Sequence, residues 1–184
     1  EGSPTQDNAG LHYIQESPAG IDSSFAIEFP APESAVNHIR IPLDEHHELA
    51  RLTVGDFRVE SWFRTTDGGR SILIGSFAGG GTALNLELHT ANRGRIYIQG
   101  SQGTTDLNLR LPSDSRDGQW HHLAGVHELG IVKLFFDGRL VGTMDDVAGD
   151  FVIDKSEMYI GRDRRTSGVL YQGSLDNVRF YNSA

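Results

Sequence analysis

The side chains that could meet a ligand in this chain are aromatics, arginines and carboxylates spaced two residues apart. Arg58, Glu60 and Trp62 alternate with apolar neighbours, as do Asn85, Glu87 and His89, Tyr97 and Gln99, and Arg110 beside Asn108. In an extended segment such positions share one side of the backbone, so they are expected to line a polar strand face. The chemistry this favours is sugar recognition: an aromatic ring stacks on the CH face of a pyranose, while planar polar groups take the directional bonds of its hydroxyls. Trp62, Glu87, His89, Tyr97 and Arg110 are the candidate ligand-binding residues of that face. A second candidate surface is the loop Arg162-Asp163-Arg164-Arg165-Thr166-Ser167 with nearby Tyr171. It is locally basic in an acidic chain, which suits a uronate, a sulfated glycan or sialic acid; Arg162, Arg164, Arg165 and Tyr171 are its candidates. Salt-bridged arginine on a solvated surface is the competing structural explanation for both.

Other chemistries fit the spacing poorly. His121 and His122 are adjacent and therefore face opposite sides of a strand, and His46-His47 lacks a nearby third zinc ligand. The glycine run Gly79-Gly80-Gly81 has neither the lysine nor the helix of a phosphate loop, and no Gly-x-Ser-x-Gly elbow is present. The chain has no cysteine, which removes disulfides and thiolate metal sites.

The formal net charge of -9 opposes a general affinity for nucleic-acid phosphates. The cations are nearly all arginine, Lys133 and Lys155 being the lysines, and arginine offers a planar fork suited to carboxylate, sulfate or paired hydroxyls. No apolar run reaches the ~20 residues that span a bilayer. The chain opens at Glu1 rather than Met, compatible with a processed protein or an excised domain.

The elements that must position these groups are short strands. Phe57, Val59, Ser61 and Phe63 take one face against Arg58, Glu60, Trp62 and Arg64; Leu84, Leu86 and Leu88 oppose Asn85, Glu87 and His89; Ile96 and Ile98 oppose Tyr97; Leu107, Leu109 and Leu111 oppose Asn108 and Arg110. Asp137-Gly138 predicts a two-residue type I′ hairpin. Residues 44–52 form the one plausible helical turn. With 22 glycines punctuating these runs, the pattern predicts an all-β chain of two antiparallel sheets, with residues 1–10 a linker or frayed terminus and 11–184 a single domain.

Five blocks in order resemble the laminin-G-like group of concanavalin A-like jelly rolls: Phe57 to Arg64, Asp117-Gly118-Gln119-Trp120-His121-His122-Leu123-Ala124, Leu134 to Val141, Tyr159-Ile160-Gly161-Arg162, and Gly173 to Asn182. The resemblance implies a jelly-roll β-sandwich and a noncatalytic extracellular recognition domain. It further implies a carbohydrate-binding accessory module of a larger secreted or cell-surface protein, such as a glycoside hydrolase or sulfatase. Its partners would be carbohydrates, anionic glycans among them, with neither nucleic acid nor membrane insertion. A structural Ca²⁺ near the chain ends is also implied, with Asp176 matching the closing acidic position and Asn37 the residue before the second strand; Phe29-Pro30-Ala31 replaces the family's usual acidic turn and removes one carboxylate. A protein-interaction module is the alternative. A glycoside hydrolase of this fold is a second one, but hydrolases of this kind carry paired carboxylates in an alternating E-x-D-x-E strand that this chain lacks, Glu60 and Glu87 standing alone on their strands.

Overall fold

The structure, a computed structural model, describes residues 12–14, 26–30, 38–76, 80–163 and 169–182; the expected linker at 1–10 lies outside them. Among the described residues the chain forms two antiparallel sheets. One has seven strands in the spatial order β1 (His12–Ile14), β2 (Ala26–Phe29), β13 (Gly173–Tyr181), β4 (Phe57–Arg64), β9 (His121–Glu128), β10 (Ile131–Phe136) and β11 (Arg139–Asp145). The other has six, ordered β3 (Ile39–Pro42), β12 (Glu157–Ile160), β5 (Ser71–Gly75), β6 (Ala83–His89), β7 (Arg93–Gln99) and β8 (Thr104–Arg110). The expected helical turn is α1 (His47–Ala50). The described residues therefore form the expected all-β sandwich of two antiparallel sheets. Strand β1, which pairs with β2, carries no alternation that marks it in the sequence.

Period-two alternation builds the core. Phe57, Val59 and Phe63 of β4, Leu123 of β9, and Val132, Leu134 and Phe136 of β10 point from one sheet. Leu84, Leu86 and Leu88 of β6 with Ile96 and Ile98 of β7 point from the other, and all are buried. Two glycines let the sheets approach. A Cβ on Gly125 would lie 2.4 Å from Ile96 Cδ1, and one on Gly94 would meet Leu111, Leu123 and Leu134.

Two local devices shape the outer surface. Asp137 and Gly138 both take positive φ (47° and 74°), giving the expected type I′ hairpin between β10 and β11. In β13 the register against β4 slips between Asp176 and Arg179, so Asp176 faces Trp62 and Arg179 faces Glu60. Asn177 absorbs the extra residue at φ 47°, and the bulge turns Arg179 onto the same outer face as Glu60 and Trp62.

Leu134 is fully buried between the sheets, so Leu134→Ala should lower the unfolding free energy by about 2–5 kcal/mol. Denaturant titration followed by near-ultraviolet circular dichroism checks this; a change under 1 kcal/mol would contradict the packing described.

Candidate functional site

The outer face of the seven-stranded sheet carries a groove. Along β9 the outward side chains Ala124 and Val126 are small, whereas Arg58 and Glu60 of β4 on one side and Lys133 and Phe135 of β10 on the other are long. The result is a channel of about 300 Å³ floored by Ala124 and Val126. It adjoins a second hollow of about 520 Å³ lined by Glu60, Trp62, Trp120, His122, Asp137, Gly138 and Arg179. From His122 to Glu128 the strand covers roughly 20 Å at about 3.4 Å per residue. The combined surface suits an oligosaccharide of several units.

The polar groups around this groove hold one another in place. Glu60 is the hub: its carboxylate lies 3.2 Å from Arg58 Nε, 3.6 Å from His122 Nε2 and 3.9 Å from an Arg179 nitrogen, and it accepts a hydrogen bond from the Tyr181 hydroxyl at 3.4 Å. The Arg58 guanidinium stacks over the Tyr181 ring at 4.2 Å, and Arg64 lies over Trp120 at 5.2 Å. His122 leans on Trp62 with ring centroids 5.2 Å apart. Burial there pushes the imidazole below its ordinary value of 6.5, against the pull of Glu60 and Asp137. A neutral imidazole offers one donor and one acceptor, which matches a sugar hydroxyl.

The hairpin is tied to this wall by Asp137, whose Oδ1 accepts the His122 N–H at 2.8 Å while Oδ2 lies 2.9 Å from His121 Nδ1. His121 points inward and stacks on Phe136 at 5.0 Å. The adjacent histidines therefore face opposite sides of β9, as their spacing predicts.

The polar residues expected on one face separate onto two. Trp62 stands on the outer surface of the seven-stranded sheet, whereas Glu87, His89, Tyr97 and Arg110 stand on that of the six-stranded sheet, across the core. Glu87 does not present itself to ligand. It is fully buried, accepts two bonds from Arg70 at 2.8 and 2.9 Å, one from Arg95 at 3.2 Å and one from Asn85 at 3.0 Å. Burial alone would raise its pKa, but these partners, Arg70 foremost, hold the carboxyl below the usual range. Tyr97 is half covered by Arg95 at 4.7 Å and donates to Gln99 at 2.8 Å.

Tyr171 is likewise no exposed platform. It is fully buried, packs edge-on to Phe29 at 5.7 Å, and its hydroxyl serves the carbonyls of Arg64 and Ser174, each at 2.9 Å. Burial pushes its hydroxyl well above the ordinary tyrosine range. Arg162 donates to the Asp163 carbonyl at 2.8 Å and lies over Tyr159 at 5.5 Å; Arg164 and Arg165 lie outside the described residues.

Asn37 also lies outside them. Its expected companion Asp176 is nearly buried and accepts the Asn177 N–H at 2.6 Å. No cluster of three or more metal-binding side chains occurs among the described residues, and one carboxylate falls short of the six to eight oxygens around Ca²⁺.

Sequence reasoning passed over Trp120, His122, Lys133, Phe135 and Arg179 as site residues. The period-two pattern does put His122 and Phe135 on polar faces. The pairing of β4 with β9 and the bulge in β13 bring His122 and Arg179 beside Trp62, and the pairing of β9 with β10 brings Lys133 and Phe135 to the adjoining channel.

Comparison with known proteins places this geometry among relatives. A family profile described as the concanavalin A-like lectin/glucanases superfamily matches residues 37–184. No curated protein sequence matches. Among solved structures, the binding domain of Paraclostridial Mosquitocidal Protein 1 superposes with a TM-score of 0.70 at 13% identity, over 96% of this chain and 43% of that one. The CBM40 of the Ruminococcus gnavus IT-sialidase gives 0.65 at 18% identity, over 86% and 90%, and it has also been solved bound to alpha2,3 and alpha2,6 sialyllactose. Mouse laminin alpha1 domains LG4-5 give 0.57 at 19% identity, over 68% and 35%. The chain thus spans less than half of the mosquitocidal and laminin structures. Identities this low speak to the shared fold alone.

Two expectations follow from the placements. Tyr171→Phe should lower stability by about 1–3 kcal/mol, because two buried carbonyls lose their donor, and should leave any glycan affinity unchanged; calorimetry beside a binding titration checks both. Glu87→Gln should cost about 3 kcal/mol at neutral pH by leaving Arg70 and Arg95 without their shared anion. Because the folded carboxyl titrates lower than the unfolded one, its contribution is complete above the ordinary glutamate value of 4.5 and is lost as pH falls through the lower folded value. The difference between the two proteins should accordingly shrink toward zero in acid, and a constant difference would contradict the assignment.

Proposed function

The chain belongs to the concanavalin A-like lectin/glucanases superfamily, and from that premise we propose that it is a noncatalytic carbohydrate-binding domain whose ligand lies along the outer groove of the seven-stranded sheet. The observation that carries this is the position of the tryptophans. The chain has two, and both line the same hollow beside Arg179, His122 and Asp137. Aromatic faces next to planar donors and acceptors are what a pyranose needs. The fold is shared with a sialidase module solved with sialyllactose, which supports a lectin-like role. As a single module it would serve a larger secreted or surface protein; no helix among the described residues is long and apolar enough to cross a membrane.

Binding without turnover is favoured by what surrounds the carboxylates. Glu60 and Glu87 belong to opposite sheets, so this pair cannot flank one glycosidic bond as a hydrolase requires; Asp137, which shares the hollow with Glu60, is engaged by the His122 amide and the His121 ring. The protein-interaction alternative draws on exposed Leu140 and Met144 of the edge strand β11. Leu140 pairs with outward Phe135 and Met144 with inward Val132, so the two project to opposite faces and build no common patch.

Because the tryptophans share the groove, intrinsic fluorescence reports occupancy. A glycan array, run both with calcium and with chelator, should retain at least one oligosaccharide class that also shifts tryptophan emission. Trp62→Ala should weaken that binding about tenfold or more, equivalent to about 1.4 kcal/mol, with thermal stability nearly unchanged. Retention of no glycan class, or full affinity in the variant, would overturn the proposal.

A further inference from the structure

The outer face of the six-stranded sheet holds a second feature that the groove does not use. Its outward residues form rows across β6, β7 and β8: Asn85, Tyr97 and Asp106; Glu87, Arg95 and Asn108; His89, Arg93 and Arg110. The middle rows are balanced, since Arg70 and Arg95 share Glu87 and Arg95 also binds Asp106 at 2.6 and 2.9 Å. The last row is not. Arg93 and Arg110 are directly opposed in the antiparallel register, an arrangement that weakens a sheet when no anion lies between the charges. Arg93 is fixed by a neutral residue, its Nε donating to Asn108 Oδ1 at 2.8 Å and a terminal nitrogen to the Asn108 carbonyl. Arg110 is exposed and has no hydrogen-bond or ion-pair partner among the described residues. Among the described residues, then, two arginines without a carboxylate partner stand at directly opposed positions, one of them held by Asn108, within a molecule of net charge -9.

We propose that the row His89, Arg93 and Arg110 is an oxyanion site, distinct from the groove and on the opposite face of the sandwich, that takes a sulfate or carboxylate group carried on a polysaccharide. Paired guanidinium forks match the planar or tetrahedral oxygens of such groups. The local field agrees with this charge pattern: His89 titrates below its ordinary value through burial and then through Arg70, Arg95 and Arg93, with only Glu87 acting against them. Around His89 stand these four, Arg110 in its row, and Arg116, which donates to the His89 carbonyl at 3.0 Å, with Thr90 Oγ1 at 3.3 Å from its Nδ1. With an anion seated, His89 gains a negative neighbour and its titration must move upward. Since groove and row lie on opposite faces, one domain would hold two polysaccharide segments at once.

The test uses dextran sulfate, carboxymethyl dextran and plain dextran as immobilised polymers, so that the charged group alone differs. The intact protein should be retained at low salt on one or both charged polymers, the pair showing which oxyanion is preferred. It should pass through plain dextran and release near 1 M salt, where the Debye length falls to about 3 Å. The double variant R93Q/R110Q should bind at least tenfold more weakly, while Arg51→Gln, at an exposed arginine just after α1, should match wild type. Nuclear magnetic resonance of the His89 ring should show its titration midpoint rising when sodium sulfate is added, and this rise should be absent in the single exposed-site variant R110Q. Failure on both charged polymers, equal retention by R93Q/R110Q, or an unmoved His89 midpoint would overturn the proposal, as would retention on a DNA column alone. Trp62→Ala should behave as wild type here, so the groove can fail without the row failing, and the reverse.

Discussion

The register of β4 against β9 is the constraint on which the rest of the molecule depends. Residues 57–63 run antiparallel to 127–121, joining segments far apart in sequence. That alignment sends Phe57, Val59, Phe63 and Leu123 into the core and holds Arg58, Glu60, Trp62, His122, Ala124 and Val126 on one outer wall. A slip by one residue would exchange the two sets, burying arginine and tryptophan's polar neighbours while exposing phenylalanine. Asp137 helps fix the alignment at one end by binding the His122 amide and approaching the His121 ring. At the other end His127 stacks on Phe57 and lies 3.0 Å from the Gly55 carbonyl.

The two outer surfaces use arginine differently. In the groove, Arg58 and Arg179 converge on Glu60, so the wall is close to neutral and its selectivity must come from stacking and hydrogen-bond direction. On the six-stranded sheet, Arg70 and Arg95 are consumed in burying Glu87, a knot that ties the segment entering β5 to β6 and β7. Beyond that knot Arg93 and Arg110 meet no carboxylate among the described residues.

Much of the fold was readable because alternation along a strand directly reports which side chains share a face. It marked Leu84 to Leu88 and Phe57 to Phe63 as half-buried strands, put His121 and His122 on opposite sides, and marked Asp137-Gly138 as a tight hairpin. Alternation does not report which sheet a strand joins. Trp62 and Glu87 both read as polar-face residues, yet β4 and β6 belong to different layers. Nor does polarity of type report exposure: Glu87 is buried because Arg70, just before β5, and Arg95 of β7 reach it, and Tyr171 because its hydroxyl finds two carbonyls inside the sandwich. The bulge that turns Arg179 toward Glu60 rests on Asn177 accepting a left-handed backbone, a tolerance visible in the residue type but not a site.

The central claim is that the tryptophan-lined wall of the seven-stranded sheet holds the sugar. Nitrogen-15 correlation spectra, recorded while the best-retained oligosaccharide of an array is titrated in, test it most directly, because the indole N–H signals of Trp62 and Trp120 are separate probes at one place. Saturable shifts of both indoles, with Gly138 and Arg179 amides following and the β6–β8 face still, are the predicted result. Indole signals that stay fixed while the oligosaccharide demonstrably binds would contradict it.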